Sequence, residues 1–466
     1  MSEHRVAVIG GGLAGITAAL RCADAGRSVV LFEAAPRLGG LTYSFGRGDL
    51  QVDNGQHVFL RCCTAYRWLL DRLGVTDQVV LQPRLEFVIR TAGARPARFR
   101  RGGLPAPLHL AGALLSYPML SPVDRARAGK AALAMRRLVL DDPALDTINF
   151  GRWLAEHGQS EQSIAALWDL FTVAALNLPA REASLAMALK VFRTGLLDSR
   201  DGADIGWATV PLQQLHGQAA ARALAAAGAE VRLRSRVDEL RPVGSHWQLN
   251  SRPAGSEVFD QVVVATTPSQ AERLVPAGCL SQPAGWSAAL GESAIVNAHL
   301  VLDRPVMTEP CFAAVGSPVQ WVFDRTEQSG LANLPGRAGQ QYLAVSLSAA
   351  DSLIGTDTAT LRGWIMAALG ELLPGLAAAT VVEFFLTRQR SATFRAGPGT
   401  GVLRPSSRTR QPGLALAGAW TSTGWPATME GAVRSGQTAA ELLLAEPPDQ
   451  RATDELSLQG LGKVRA

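Results

Sequence analysis

The chain has 466 residues, 47% of them hydrophobic, enough for two or more packed layers and a two-domain architecture. Its 45 basic residues only slightly exceed the 40 acidic ones, so charge gives no ground for a nucleic-acid partner. Five cysteines (Cys22, Cys62, Cys63, Cys279, Cys311) without CxxC spacing speak against a disulfide framework and against a metal site, and fit a reducing, cytoplasmic setting.

The first element is a short buried strand, Arg5–Ile9, which starts at once and leaves no room for a signal-peptide pattern. A turn, an amphipathic helix and a second strand ending at Glu33 follow. Gly10, Gly12 and Gly15 have the GxGxxG spacing. Gly10 permits the tight turn, Gly12 lets backbone amides approach a pyrophosphate, and Gly15 lets the helix pack on the strand. The helix begins with Leu13 and Ala14, whose N–H groups and dipole end suit an anion. Glu33 lies 18 residues after Gly15, where an acid accepts from a ribose hydroxyl. These features alone do not separate NAD from FAD. The continuation "EAAPRLGGLTYSF" does more, since it resembles the extension of FAD-binding flavoproteins. That resemblance implies cofactor contacts at Ala34, Arg37, Gly39, Gly40 and Leu41, and then at Gly55, Gln56 and His57 of "DNGQHVF", near the isoalloxazine ring.

Residues 87–204 read as largely helical, with apolar positions recurring at three and four. No apolar run reaches the ~18 residues needed to span a bilayer. The richest stretch, 104–120, is broken by three prolines. Arg95, Arg98, Arg100 and Arg101 precede it, and Arg125, Arg127, Lys130, Arg136 and Arg137 follow it. Apolar surface flanked by cations suits peripheral attachment to the inner face of the cytoplasmic membrane. An arginine-rich helical surface over an ordinary core reads equally well.

A strand and turn at 231–240 and a strand at 261–265 extend the nucleotide-binding sheet. In the FAD-dependent amine oxidase and carotenoid desaturase superfamily, which these segments resemble, the valine of such an "SRV" stretch packs near the adenine; here it is Val237. Near the end, a strand at 414–417 runs into Gly418 and Ala419, and a helix is expected to start near Pro426. By the same resemblance Pro426, Ala427, Thr428 and Met429 present helix-terminal amides to the flavin. Gly431 and Gly436 read as close-packing positions, and Glu430 with Arg434 as an i,i+4 ion pair.

The expected fold is therefore α/β, with a Rossmann-like FAD-binding domain built from residues 1–86, 205–280 and 385–446. A mixed α+β substrate domain takes 87–204 and 281–384, and 447–466 is a tail. "DNGQHVFLRCCTAYRWLLDRLGV", "TRQRSATF" and "GWPATMEGAVRSG" together resemble the hydroxysqualene dehydroxylases of hopanoid pathways. The resemblance implies non-covalent FAD, a long isoprenoid substrate such as hydroxysqualene, an upstream synthase of the pathway as partner, and reductive loss of an allylic hydroxyl. Such chemistry needs one proton donor, for which His57 is the first candidate, with Asp53 to orient it, and Glu430 the second. The family usually carries an acid where this chain has Ala419, with Ser422 or Thr423 as replacements for its contact. Two other readings stay open: a carotenoid desaturase running electrons the other way, and a non-catalytic flavin- or squalene-binding partner.

Overall fold

The computed structural model describes residues 4–445, and the expected tail at 447–466 lies outside them. A five-stranded parallel sheet forms the first layer. β1 (Arg5–Ile9), α1 (Leu13–Asp24) and β2 (Ser28–Glu33) make its first unit. β3 (Glu230–Leu233), β4 (Gln261–Val264) and β5 (Leu414–Leu416) arrive from later in the chain, giving the spatial order β3–β2–β1–β4–β5. The central strands are short runs of Val, Leu, Ile and Ala buried on both faces, as a parallel sheet covered by helices requires. The C-terminal helix α2 (Met429–Ala445) packs against α1. A Cβ on Gly436 would lie 2.3 Å from the Ala14 carbonyl oxygen, so only glycine permits this approach.

The second layer is a seven-stranded mixed sheet in the order Val381–Phe394, Glu292–Leu302, Gln341–Leu347, Trp321–Asp324, Cys311–Ala314, Glu86–Arg90 and Ala97–Arg100. Two expectations change here. The segment from residue 87, read as helical, opens with a hairpin in this sheet, and Phe87 and Phe99 stack across it at 5.2 Å. The alternation in "EFVIR" has the strand period of two, which wins over the helical pattern further on. The boundary placed at 384/385 falls inside a single strand. Val381–Phe394 pairs with Glu292–Leu302 along most of its length, which puts residues 385–394 in the second sheet.

Strand Glu292–Leu302 separates two environments. Val296, Ala298 and Leu300 pack with helix Thr358–Leu372 in an apolar core. On the opposite face Asn297 approaches Gly55. A small sheet of Val58–Leu60, Val79–Leu81 and Ile205–Ala208 bridges the region between the layers. Among the described residues no helix is long and apolar enough to cross a membrane.

Candidate flavin and substrate site

The glycine loop after β1 leaves no room for a Cβ at Gly10, Gly11 or Gly15. Gly10 has φ +112°, and a Cβ there would meet the Ala265 carbonyl oxygen at 2.4 Å. At Gly15 a Cβ would stand 1.9 Å from the Gly10 oxygen. Gly12 ends in extended backbone at the start of α1 and makes no side-chain cap, so the first N–H groups of that helix, from Leu13 and Ala14 on, stay open to an anion. Gly39 donates to the Gly11 oxygen at 2.9 Å. A Cβ on Gly40 would be 2.8 Å from Gly12 Cα, so the two glycine stretches lie against each other. Glu33 accepts from Gly11 N at 2.6 Å and from Ala35 N at 2.7 Å. Each carboxylate oxygen keeps a second lone pair for a ribose hydroxyl. Ser235 N donates to the Glu33 carbonyl, which brings buried Val237 to the same end of β2. Ala34 and Leu41 are exposed, and Arg37 lies over the Tyr43 ring at 3.6 Å.

Asn54 then ties the loop together, accepting from Tyr43 N and donating to the Leu41 oxygen at 2.8 Å. Buried Asp53 accepts from Ser44 Oγ at 2.5 Å and Leu212 N at 3.0 Å and pairs with Arg325. It makes no hydrogen bond to His57, so its part there is that of a nearby charge and a turn anchor rather than an orienting partner. His57 Nδ1 lies 3.1 Å from the Gly55 oxygen, the geometry of an Nδ1–H donor, which leaves Nε2 open. Burial pushes this imidazole below its ordinary value, while the Gly55 bond and Asp53 pull it up.

The second glycine turn is closed by its own tryptophan: a Cβ on Gly418 would strike Trp420 Nε1, which donates to the Thr266 oxygen at 2.9 Å. Gly418 N donates to Ser435 Oγ at 2.7 Å, joining the turn to α2. That helix begins at Met429 rather than at Pro426, because Thr428 caps it, its Oγ1 accepting from Gly431 N at 3.2 Å. Pro426 and Ala427 precede the cap. Thr423, expected as a replacement for the acid missing at Ala419, instead uses its hydroxyl to accept from Arg404 and Trp425 N.

Glu430 is corrected from donor to cap. It is 1% exposed, and its oxygens accept from Ala65 N at 3.2 Å, Tyr66 N at 2.7 Å and Arg434 Nε at 2.6 Å. The carboxylate thus closes the N-terminus of helix Thr64–Arg72, where three N–H donors occupy its oxygens. Glu430→Ala is expected to lower the melting temperature and to leave the pH dependence of turnover unchanged, as thermal denaturation and initial rates will show.

Several site residues carry no local sequence signal. Gln213 Oε1 and Asn297 Oδ1 are buried without a hydrogen-bond partner, as are both polar atoms of Gln56. The π-helical turn Gln213–Gln218 places Gln213 and Gly217 against Leu38 and Gly39. His216 Nε2 lies 2.7 Å from Tyr66 Oη, and burial with the neighbouring His57 lowers it to about 3, so it is neutral. Unpaired polar atoms beside a Cβ-free glycine cradle are what a large polar cofactor would satisfy. Among the described residues no group of three or more His, Cys, Asp or Glu is placed to hold a metal.

Residues 13–444 match the family described as flavin containing amine oxidoreductase. The hydroxysqualene dehydroxylase of Rhodopseudomonas palustris is 31% identical, with 94% of this chain and 98% of the relative covered. The zeta-carotene desaturase of Synechocystis sp. is 24% identical over 95% and 97%. Putrescine oxidase bound to putrescine superposes with a TM-score of 0.71 at 19% identity, covering 95% of this chain and 99% of that one, a likeness of fold. FAD is the cofactor that this cradle and this family share, and the protein is an FAD-dependent oxidoreductase of α/β fold. The chain belongs to the flavin-containing amine oxidoreductase family and, within it, to the hydroxysqualene dehydroxylases.

Proposed function

We propose that the protein removes the allylic hydroxyl of hydroxysqualene to give squalene. The observation that carries this reading is the end-to-end similarity to a hydroxysqualene dehydroxylase, which exceeds that to a zeta-carotene desaturase. Reduced FAD, when bound, supplies a hydride equivalent. Gly10, Gly12, Gly15, Gly39 and Gly40 with the N-terminus of α1 would hold its pyrophosphate, Glu33 its ribose, and Val237 and residues 418–429 would contribute to the adenine and flavin ends.

The chain's remaining task is to bind a long hydrocarbon, keep water from an allylic cation and deliver one proton to the leaving oxygen. The interior is apolar in this region: the buried Phe87 ring lies 5.3 Å from that of Trp321 and 6.3 Å from that of Phe171, within the core that the interior helices share. His57 is the proton donor in this scheme. The test is an anaerobic assay of the FAD-loaded protein, chemically reduced, with hydroxysqualene and separately with a C40 polyene precursor. Squalene formed in step with flavin reoxidation is the expected result. Desaturation of the polyene by oxidised FAD would move the protein to the carotenoid branch, and a protein that purifies without FAD would be the non-catalytic partner.

A lipid substrate also favours the membrane reading of residues 104–139. Leu104, Leu108, Leu115, Val123, Leu133 and Val139 are exposed, and Arg127, Lys130 and Arg137 make no ion pair among the described residues. Three such cations near an anionic surface contribute ~3 kcal/mol together. Replacing all three by glutamate is expected to abolish co-sedimentation with phosphatidylglycerol vesicles while FAD content stays unchanged; undiminished sedimentation would refute the contact. An upstream synthase handing over the alcohol at that surface completes the scheme.

A further inference from the structure

Arg325 enters the site from a remote segment and has more hydrogen bonds to give than it uses. It follows strand Trp321–Asp324 and is fixed by its backbone: its N–H donates to the Tyr342 oxygen at 2.7 Å, and its oxygen accepts from Ser329 N at 3.0 Å. The residue is 8% exposed. Of its guanidinium nitrogens only Nη2 is engaged, on the buried carboxylate of Asp53. Nε and Nη1 have no partner among the described residues, yet neither is closed off from water. Arg325 lines a cavity of about 20 Å³ together with His57, Trp207, Phe323 and Gln328. A side chain so deeply buried has its open N–H groups where it lines this cavity. The Trp207 indole N–H and the Gln328 amide are likewise without a partner among the described residues. The volume admits one oxygen-sized group, since a single water needs ~10–15 Å³. Arginine and tryptophan donate and never accept, so the group that fits here is an acceptor oxygen.

We propose that Arg325 holds the leaving oxygen of the substrate, its free N–H edge donating to the hydroxyl while that hydroxyl lies against His57 Nε2. The proposal rests on the dehydroxylation reading. Two features favour a hydroxyl over an inorganic anion. The Asp53 carboxylate offsets the guanidinium, so the cavity offers N–H donors with little net charge to draw an anion. An alcohol also has a proton to give to the lone pair that neutral His57 presents at Nε2, and a bare anion has none. In the step, the allylic C–O bond breaks and its electron pair leaves with oxygen, where Arg325 stabilises the developing charge. That oxygen takes one proton from the imidazolium form of His57 to become water, and the carbon receives a hydride equivalent originating from reduced flavin. The sum R–OH + H⁺ + H⁻ gives R–H + H₂O. Asp53 is buried and lies outside the cavity lining, so it balances Arg325 without reaching the allylic cation as a nucleophile.

Such a site must discriminate, because a ligand without the hydroxyl leaves the donors unpaired. The test measures binding to the FAD-loaded protein, by quenching of flavin fluorescence, for hydroxysqualene and for squalene, each with and without inorganic phosphate. Wild type is expected to prefer the alcohol by at least about tenfold, with phosphate making no difference. Arg325→Met is expected to lower alcohol affinity to that of the hydrocarbon, with the affinities for squalene and for FAD unchanged. Arg325→Lys, a point charge on a flexible stem, keeps part of the preference. Arg325→Met leaves a buried carboxylate unpaired. Should it fail to fold, Asp53→Asn/Arg325→Met, read against Asp53→Asn, carries the same test. Equal binding of the two ligands by wild type overturns the contact. So does an undiminished preference in Arg325→Met with only a shifted pH limb of turnover, which leaves Arg325 acting through the charge on His57. Displacement of the alcohol by phosphate also overturns it and makes the cavity an anion site. A selective loss of FAD affinity in a folded Arg325→Met overturns it as well and gives the residue to the cofactor. An Arg325-dependent alcohol preference without squalene formation would uphold the contact and reject the dehydroxylation, which separates the two failures.

Discussion

His57→Gln is expected to lower turnover of reduced enzyme with hydroxysqualene by ~10²–10⁴, the usual worth of a positioned proton donor, with FAD content unchanged. The argument starts from the tautomer. Because Nδ1 faces the Gly55 oxygen at 3.1 Å, the neutral ring presents only a lone pair at Nε2. Donation to the leaving oxygen therefore requires the imidazolium. Burial lowers the pKa of that form below its ordinary value, which makes it scarcer at neutral pH and a stronger acid when present. The sign of the pH dependence follows. Turnover is greatest below the pKa of His57 and falls tenfold per unit above it, so the descending limb lies on the acid side of pH 6.5 rather than near neutrality. Asp53 shifts this limb upward through its charge, and Arg325 downward. Asp53→Asn is therefore expected to move the limb to lower pH. A flat rate profile from pH 5 to 8, together with near-normal turnover in His57→Gln, would sink the donor role and leave His57 as a flavin or backbone contact.

Legibility in the sequence tracks how local the physical constraint is. Gly15 and Gly40 were readable because each is forced by a backbone approach within the same loop pair, where a Cβ would overlap a carbonyl or Cα, whereas Gly10 was readable through its spacing although its Cβ would meet the remote Ala265 oxygen. Glu33 was readable for the same reason, at the end of a strand whose register is set by the loop before it. The helix start near Pro426 was displaced to Met429 by a threonine cap, a signal present in "PATMEG" but weaker than the proline. Glu430 shows the opposite case. Its i,i+4 pair with Arg434 is local and was legible, whereas its bonds to Ala65 N and Tyr66 N span more than 360 residues of sequence and were not. Gln213, His216 and Asn297 join the site in the same way, each from a segment whose local pattern announces only helix or strand. The strand Val381–Phe394 is an intermediate case: its partner across the sheet is remote, yet its length without a turn residue argued against a domain boundary inside it.

Arg404→Met is expected to weaken FAD binding by ~3 kcal/mol, roughly a hundredfold in the dissociation constant. Arg404 is 5% exposed and lies over the Phe394 ring at 4.6 Å, with no carboxylate paired to it among the described residues. Burial lowers its guanidinium to about 10, so it remains charged at neutral pH. Its donors gather the second glycine turn: Nη2 to the Thr421 oxygen at 2.5 Å and the Trp425 oxygen at 2.8 Å, with longer bonds to Ala419, Thr423 and, from Nε, Trp420. The position gains weight from Ala419. Without a carboxylate there, the turn must engage the flavin through its backbone, and backbone contacts are only as good as the geometry that fixes them. Methionine fills similar space but leaves those carbonyls unpaired, each at a cost of ~1–3 kcal/mol that the loop reduces by opening to water. An open loop cannot hold the cofactor. Arg404→Lys, a point charge with three donors on a flexible stem, is expected to fall between the two. Fluorimetric titration of apoprotein with FAD decides the matter. A dissociation constant within about threefold of wild type in Arg404→Met would show that the turn keeps its shape without the guanidinium, and that the loss at Ala419 is made good elsewhere.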